Sequence, residues 1–76
     1  MAITIYTTPS CSYCTVAKNY FRENGIPFTE YNVAQDVKKA DEMVRKSGQM
    51  GVPVIDIDGR IIVGFDKEAI TRALGL

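Results

Sequence analysis

The stretch Ile3-Thr4-Ile5-Tyr6-Thr7-Thr8-Pro9-Ser10-Cys11-Ser12-Tyr13-Cys14 decides how the chain folds. Residues 3–7 are short, β-branched and aromatic, which is the composition of a strand. Thr8-Pro9-Ser10 breaks it, and a helix is expected to begin near Cys11 or Ser12 with Ser10 or Cys11 as its cap. Tyr13, Val16, Ala17, Tyr20 and Phe21 recur near the 3.6-residue period and form its apolar set, with Lys18, Asn19, Arg22 and Glu23 on the other side. Asn24-Gly25 stops the helix, and Pro27 follows two residues later. Residues 28–33 alternate loosely and read as a second strand. Strand, helix and strand in this order imply parallel pairing through a right-handed crossover.

Downstream, Asp36 can cap a second helix whose inner stripe is Val37, Ala40, Met43 and Val44 and whose end is Gly48. Lys38, Lys39, Asp41, Glu42, Arg45 and Lys46 are most simply a solvated outer face. Residues 53–57 and 60–63 are apolar runs flanking Asp58-Gly59, the pair that favours a two-residue type I′ hairpin. Asp66 can cap a last helix carrying Ala69, Ile70, Ala73 and Leu74. The expected order is βαβαββα. It gives an α/β fold with one four-stranded mixed sheet flanked by three helices, the thioredoxin-like arrangement at its minimum size, in one domain over residues 1–76.

Composition narrows the function. Nine Lys and Arg balance nine Asp and Glu among 76 residues, which weighs against nucleic acid, whose phosphates want clustered positive charge. Hydrophobic residues make up 46% of the chain, enough for a core and too many for a disordered segment. No apolar run approaches the 18 residues of a membrane span, and the first six residues read as a strand and not as a signal peptide. Histidine is absent, which removes His-based acid–base catalysis and every His-containing metal site. A cytoplasmic monomer is the expectation.

The two cysteines remain, as Cys11-Ser12-Tyr13-Cys14. A C-x-x-C after the first strand of a βαβ unit reads as a redox motif. Only a thiolate attacks a disulfide, and a free cysteine, with a pKa near 8.5, is mostly protonated at neutral pH. At a helix N-terminus, unpaired N–H groups and the helix dipole favour the anion and bring such a thiol to roughly 3.5–7.5. Cys14, one turn on, is expected to be less exposed and within reach of the Cys11 sulfur. Cys11 then attacks and Cys14 resolves the mixed disulfide. Three plainer readings stand beside this one. They are a structural disulfide closing a very small loop, a zinc site completed by a second chain, and two ordinary buried thiols.

Pro53 is the second site residue. A trans proline opening a strand is the ordinary expectation. In this fold, however, Val52-Pro53 precedes a strand that lies near the C-x-x-C, and a cis bond there turns the N–H and C=O of Val52 outward. An extended substrate can pair with them as an added strand, whatever its side chains.

These segments together resemble the glutaredoxin family: Ile5-Tyr6-Thr7 leading into Cys11-Ser12-Tyr13-Cys14, Glu42-Met43-Val44-Arg45-Lys46-Ser47-Gly48, Val52-Pro53, and Gly64-Phe65-Asp66. The resemblance spans essentially the whole chain. It implies the thioredoxin-like fold, thiol–disulfide exchange on disulfide-containing proteins, glutathione and its reductase as the usual reducing system, and a cis Pro53. It also implies Cys11 as nucleophile, Cys14 as resolving thiol, and a glutathione groove formed by Tyr13, Gln49, Val52, Pro53, Gly64 and Asp66. The plain alternatives are a half-exposed aromatic for Tyr13, a loop residue for Gln49 and an N-cap for Asp66.

Departures from the family pattern bear on the donor. Thr8 stands where a Lys usually meets a glutathione carboxylate, Gly51 where Thr is usual before Val-Pro, and Gln49 where a basic residue is often found. Each lost charge-assisted contact weakens carboxylate binding by about 1–2 kcal/mol, and Lys67 restores a positive charge nearby. The same losses resemble glutaredoxin-like redoxins that take electrons from thioredoxin reductase and serve ribonucleotide reductase. Ser12 replaces a usual Pro. Members with Ser there resemble those that bridge two chains and two glutathiones around a [2Fe–2S] cluster through the first Cys, here Cys11. Otherwise Ser12 is simply a good first helical residue and no metal is expected.

Overall fold

The computed structural model describes residues 1–76. The elements in chain order are β1 (Ile3–Thr7), α1 (Ser12–Glu23), β2 (Thr29–Asn32), α2 (Val37–Ser47), β3 (Val54–Ile57), β4 (Arg60–Val63) and α3 (Lys67–Leu74). The strands form one sheet in the order β2-β1-β3-β4, with β1 parallel to β2 and antiparallel to β3, and β3 antiparallel to β4. This is the four-stranded mixed sheet with three helices of the thioredoxin-like fold.

Local chemistry sets the boundaries. Cys11, Asp36 and Asp66 each cap a helix, their side chains accepting from the N–H of Cys14, Lys39 and Ala69. The β3–β4 turn has positive φ at both central residues, 50° at Asp58 and 89° at Gly59, as a type I′ turn requires. Asp56 Oδ1 steadies it by accepting from the Gly59 N–H at 2.7 Å.

Side chains alternate across the sheet. Ile3, Ile5, Ile55, Ile57 and Ile62 face α1 and α3, meeting Ala17, Phe21, Ile70 and Leu74 in the main core. Tyr6 and Val54 face α2 and pack on Met43 in a smaller cluster. Two expectations of facing need correcting. The buried stripe of α1 is Cys14, Ala17 and Phe21, while Tyr13 is 65% and Val16 43% exposed. Cys14 behaves as a small apolar residue and rotates the buried face by one position. In α2 the packing comes from Met43 and Val44, and Val37 is 83% exposed at the first helical position.

The outer face of α2 is also less solvated than its charges imply. Lys38, Asp41 and Arg45 do face water, but Lys39, Glu42 and Lys46, spaced i, i+3, i+7, fold over the sheet. The fully buried Tyr6 donates its hydroxyl proton to Glu42 and accepts from Lys46 Nζ at 2.8 Å. Lys46 also reaches Asp56 at 2.7 Å, and Lys39 pairs with Glu42 at 3.3 Å while standing 4.2 Å from the centre of the Tyr31 ring. No buried side-chain polar atom lacks a partner.

The protonation states agree with this geometry. Burial and the bond to Glu42 hold the Tyr6 hydroxyl above its ordinary range, and the Tyr6 hydroxyl holds the Glu42 carboxyl below its own. Asp56, then Tyr6, keep Lys46 above the usual lysine range. A depressed carboxyl stabilises above its unfolded pKa, and that contribution is lost as pH falls through the folded value. Raised Tyr6 and Lys46 stabilise below their ordinary values of 10.0 and 10.5, and lose this as pH rises beyond them. Tyr6→Phe is expected to cost about 1.5 kcal/mol, the low end for hydrogen bonds to charged groups because Glu42 and Lys46 keep access to water. In a chain this size that lowers Tm by roughly 6 °C or more. Thermal unfolding across pH checks it, the wild type losing more of its Tm than the variant above pH 10.0.

Candidate functional site

The strand register gathers the site. Tyr6 lies opposite Val54, and Val54 opposite Val63. The C-terminal ends of β1 and β4 and the start of β3 therefore meet at one end of the sheet. The three connections leaving that end carry residues 8–11, Val52-Pro53 and residues 64–66.

In the first connection, Thr8 C=O accepts from the Cys11 N–H at 3.3 Å, closing a turn that delivers Cys11 to the cap of α1. Cys11 is extended (φ −90°, ψ 106°), and its Sγ accepts from the Cys14 N–H at 3.1 Å. No acidic residue occupies the first turn of α1. In the reduced form, a negative charge on Cys11 sulfur would face the N-terminus of a twelve-residue helix with nothing of like sign on that turn. Cys11 is partly exposed, whereas Cys14 is 1% exposed. The two Cα atoms are 5.2 Å apart and the sulfurs are joined in a disulfide. One cysteine is partly open to solvent and the other is buried against it, which is the asymmetry a two-step exchange needs.

The second connection holds a cis Val52-Pro53 bond. Pro53 is buried, and its carbonyl accepts from the Gly64 N–H at 2.8 Å, tying the second connection to the third. Gly64 takes φ 78°, a region that disfavours any side chain. The N–H and C=O of Val52 have no hydrogen-bond partner within the chain.

The remaining expected residues are placed as follows. Tyr13 projects into solvent beside the cap. Asp66 caps α3, its Oδ1 accepting from Ala69 N–H at 3.1 Å, and Lys67 begins that helix with its ammonium 5.7 Å from the Tyr20 ring centre. Thr8 is partly buried. Gln49 is not directed at the other residues: its amide bonds its own loop, to Ser47 Oγ and to both backbone groups of Gly51. Two features were missed. Met50, 81% exposed, adds an apolar side chain two residues before Val52; its only signal was a methionine among small and polar residues. A cleft of about 330 Å³ runs beside α1, lined by Val16, Asn19, Tyr20, Glu23, Phe65 and Lys67.

Comparison with known proteins agrees with this geometry. Residues 3–62 match the glutaredoxin family model. An uncharacterized glutaredoxin-like 8.6 kDa protein in the rubredoxin operon of Clostridium pasteurianum is 49% identical over 72 residues, covering 95% of this chain and 96% of that one. Glutaredoxin 3 of Escherichia coli is 38% identical over 64 residues, covering 84% and 77%. Among solved structures, the glutaredoxin-like protein NrdH-redoxin from Escherichia coli superposes with a TM-score of 0.81 at 33% identity, covering 95% and 93%.

Proposed function

Because this chain belongs to the glutaredoxin family, we propose that it reduces disulfides through Cys11 and Cys14, with Val52 docking the substrate main chain. The observation that carries this is the partly exposed Cys11 capping α1, its sulfur bonded to the Cys14 N–H and joined to a buried Cys14.

In the reduced protein the Cys11 thiolate attacks one sulfur of a substrate disulfide. A Cys11–substrate S–S bond forms, and the substrate's other sulfur leaves as a thiolate and takes a proton from water. Cys14 then gives up its proton and attacks the Cys11 sulfur. The Cys11–Cys14 bond forms, the second substrate thiol leaves, and two electrons have passed from the dithiol to the substrate. The unpaired N–H and C=O of Val52 hold the substrate backbone as an added strand during both steps. An external thiol reductant restores the dithiol.

Glutathione is the first candidate reductant. Tyr13, Val52, Pro53 and Gly64, with Thr8 alongside, form its groove, and the α3 N-terminus with Asp66 and Lys67 receives a carboxylate. The Escherichia coli NrdH-redoxin, described by its thioredoxin-like activity profile, favours a second reading in which thioredoxin reductase is the donor. Thr8, Gly51 and the inward-turned Gln49 support it, since none brings positive charge to a glutathione carboxylate. NADPH oxidation with a small disulfide separates the two. Turnover only with glutathione and its reductase makes the chain a glutathione-dependent oxidoreductase, and turnover only with thioredoxin reductase makes it a redoxin of the second kind. The site works as a monomer in the cytoplasm. The chain has no group of three or more His, Cys, Asp or Glu side chains able to hold a metal. In the bridged-dimer alternative each chain would give only Cys11 to a [2Fe–2S] cluster, with a second chain and two glutathiones supplying the other ligands, and no step above runs through one. No helix is long and apolar enough to cross a membrane.

A further inference from the structure

The loop between α2 and Pro53 has an unusual construction. Between the Gly48 N–H, which bonds Val44 C=O, and the Pro53 C=O, no residue makes a backbone–backbone hydrogen bond. Side chains hold the loop instead. Ser47 Oγ bonds Met43 C=O at 2.7 Å in the last turns of α2 and receives Gln49 Nε2 at 3.3 Å. The same Nε2 donates to Gly51 C=O at 3.0 Å, while Gly51 N–H donates to Gln49 Oε1 at 2.5 Å. One side-chain amide thus satisfies both polar groups of Gly51. The next residue, Val52, has both of its own groups free. A β-carbon at position 51 would stand 2.8 Å from Gln49 Oε1, and within 4 Å it would meet only Gln49. Gly51 is therefore what allows the amide to close on the loop.

We propose that Gln49 is a positioning residue for disulfide exchange: with Gly51 it forms a clamp that anchors Val52 to α2 and presents the Val52 N–H and C=O to the substrate backbone. The inference rests on the reading of Val52 as the docking residue. It gives Gln49 a role that needs no contact with any ligand, and it assigns the chain to extended protein disulfides, whose main chain the clamp receives. Without the amide, Gly51 loses both of its hydrogen bonds, only the Ser47 Oγ contacts to the Gln49 backbone still tie the loop to α2, and Val52 is ordered at the expense of substrate binding. The Cys11 and Cys14 sulfurs are untouched by that change.

The test uses insulin as a protein disulfide, with whichever reductase system drives turnover, and three variants. Gln49→Met keeps the volume and removes every bond of the amide. Gly51→Ala leaves the amide in place and expels it sterically. The third variant combines both. Losing hydrogen bonds of ordinary strength predicts a KM raised about fivefold in each single variant, with kcat nearly unchanged. The double variant is expected to be no worse than the poorer single one, because the two changes break one device. Amide hydrogen exchange at Gly51 is expected to be slow in the wild type and fast in Gln49→Met.

An unchanged KM in both single variants, or effects that multiply in the double variant, overturns the proposal. So does a loss of kcat with KM intact. A wild type that turns over no insulin overturns the docking reading, and the clamp's role with it. That failure is distinguishable, since Gly51 exchange would still differ between wild type and Gln49→Met.

Discussion

Cys11→Ser is expected to abolish disulfide exchange, leaving no NADPH oxidation above the rate without protein under either donor system. A serine hydroxyl at the cap still accepts from the Cys14 N–H, so α1 keeps its start and the fold survives. What is lost is the nucleophile. Cys14 cannot substitute, because at 1% exposure its sulfur does not meet a bulky disulfide. A serine alkoxide is not formed at neutral pH, and only a thiolate takes part in exchange at useful rates. Circular dichroism of the variant should show the same helix content and a cooperative melt, which separates lost chemistry from lost structure. Residual turnover in a folded Cys11→Ser variant would mean that Cys14 or another route carries the reaction.

Phe21→Ala is expected to have the largest effect on stability. Phe21 is fully buried in the main core, with the rings of Tyr20 and Phe28 at 6.0 and 5.8 Å. Removing such a ring costs about 3–5 kcal/mol through lost transfer energy and the cavity left behind. Whole domains are stable by only about 5–15 kcal/mol, so this is a large share. At ~4 °C or more per kcal/mol for a chain of this length, Tm should fall by at least ~12 °C. Phe21 lies ten residues beyond Cys11, roughly 15 Å along the helix axis. The fraction that stays folded at low temperature should therefore keep its activity per molecule. A fall of under about 1 kcal/mol would contradict the packing described for α1 against the sheet.

Much of the fold was legible because its signals are local. The Asp36 and Asp66 caps, the stop at Gly48 and the Asp58-Gly59 turn each act within a few residues. The redox pair was legible for the same reason, since a strand, a break and C-x-x-C on a helix start lie within twelve residues. What failed depended on which partner each side chain meets once the chain is folded. Tyr13 and Val16 have the right period for a core and still face water, because Cys14 takes the inner position. Lys39, Glu42 and Lys46 look like a solvated face until Tyr6 and Asp56 arrive from the sheet. Gln49 carries a side chain suited to ligand binding, and only the three-dimensional loop reveals that Gly51 has already engaged it.

The same contrast bears on the donor. The residues expected to hold glutathione stand at one end of the sheet, but their charges do not converge on one point. Lys67 lies by the ring of Tyr20, Asp66 serves the Ala69 N–H, and Gln49 serves Gly51. In the proposed docking mode, pairing at Val52 needs no contact between the ligand and these side chains, which favours a protein disulfide over a small dianionic ligand as the preferred substrate.

The central claim is that Cys11 is the activated thiolate and Cys14 its protected partner. Alkylation of the fully reduced protein with iodoacetamide across pH, with the modified residue located by peptide mass, tests it most directly. The account predicts that Cys11 is modified first and that its rate titrates well below pH 8.5, the midpoint of a free cysteine, while Cys14 stays unmodified. Cys14 reacting first, or Cys11 titrating at 8.5 or above, would contradict it.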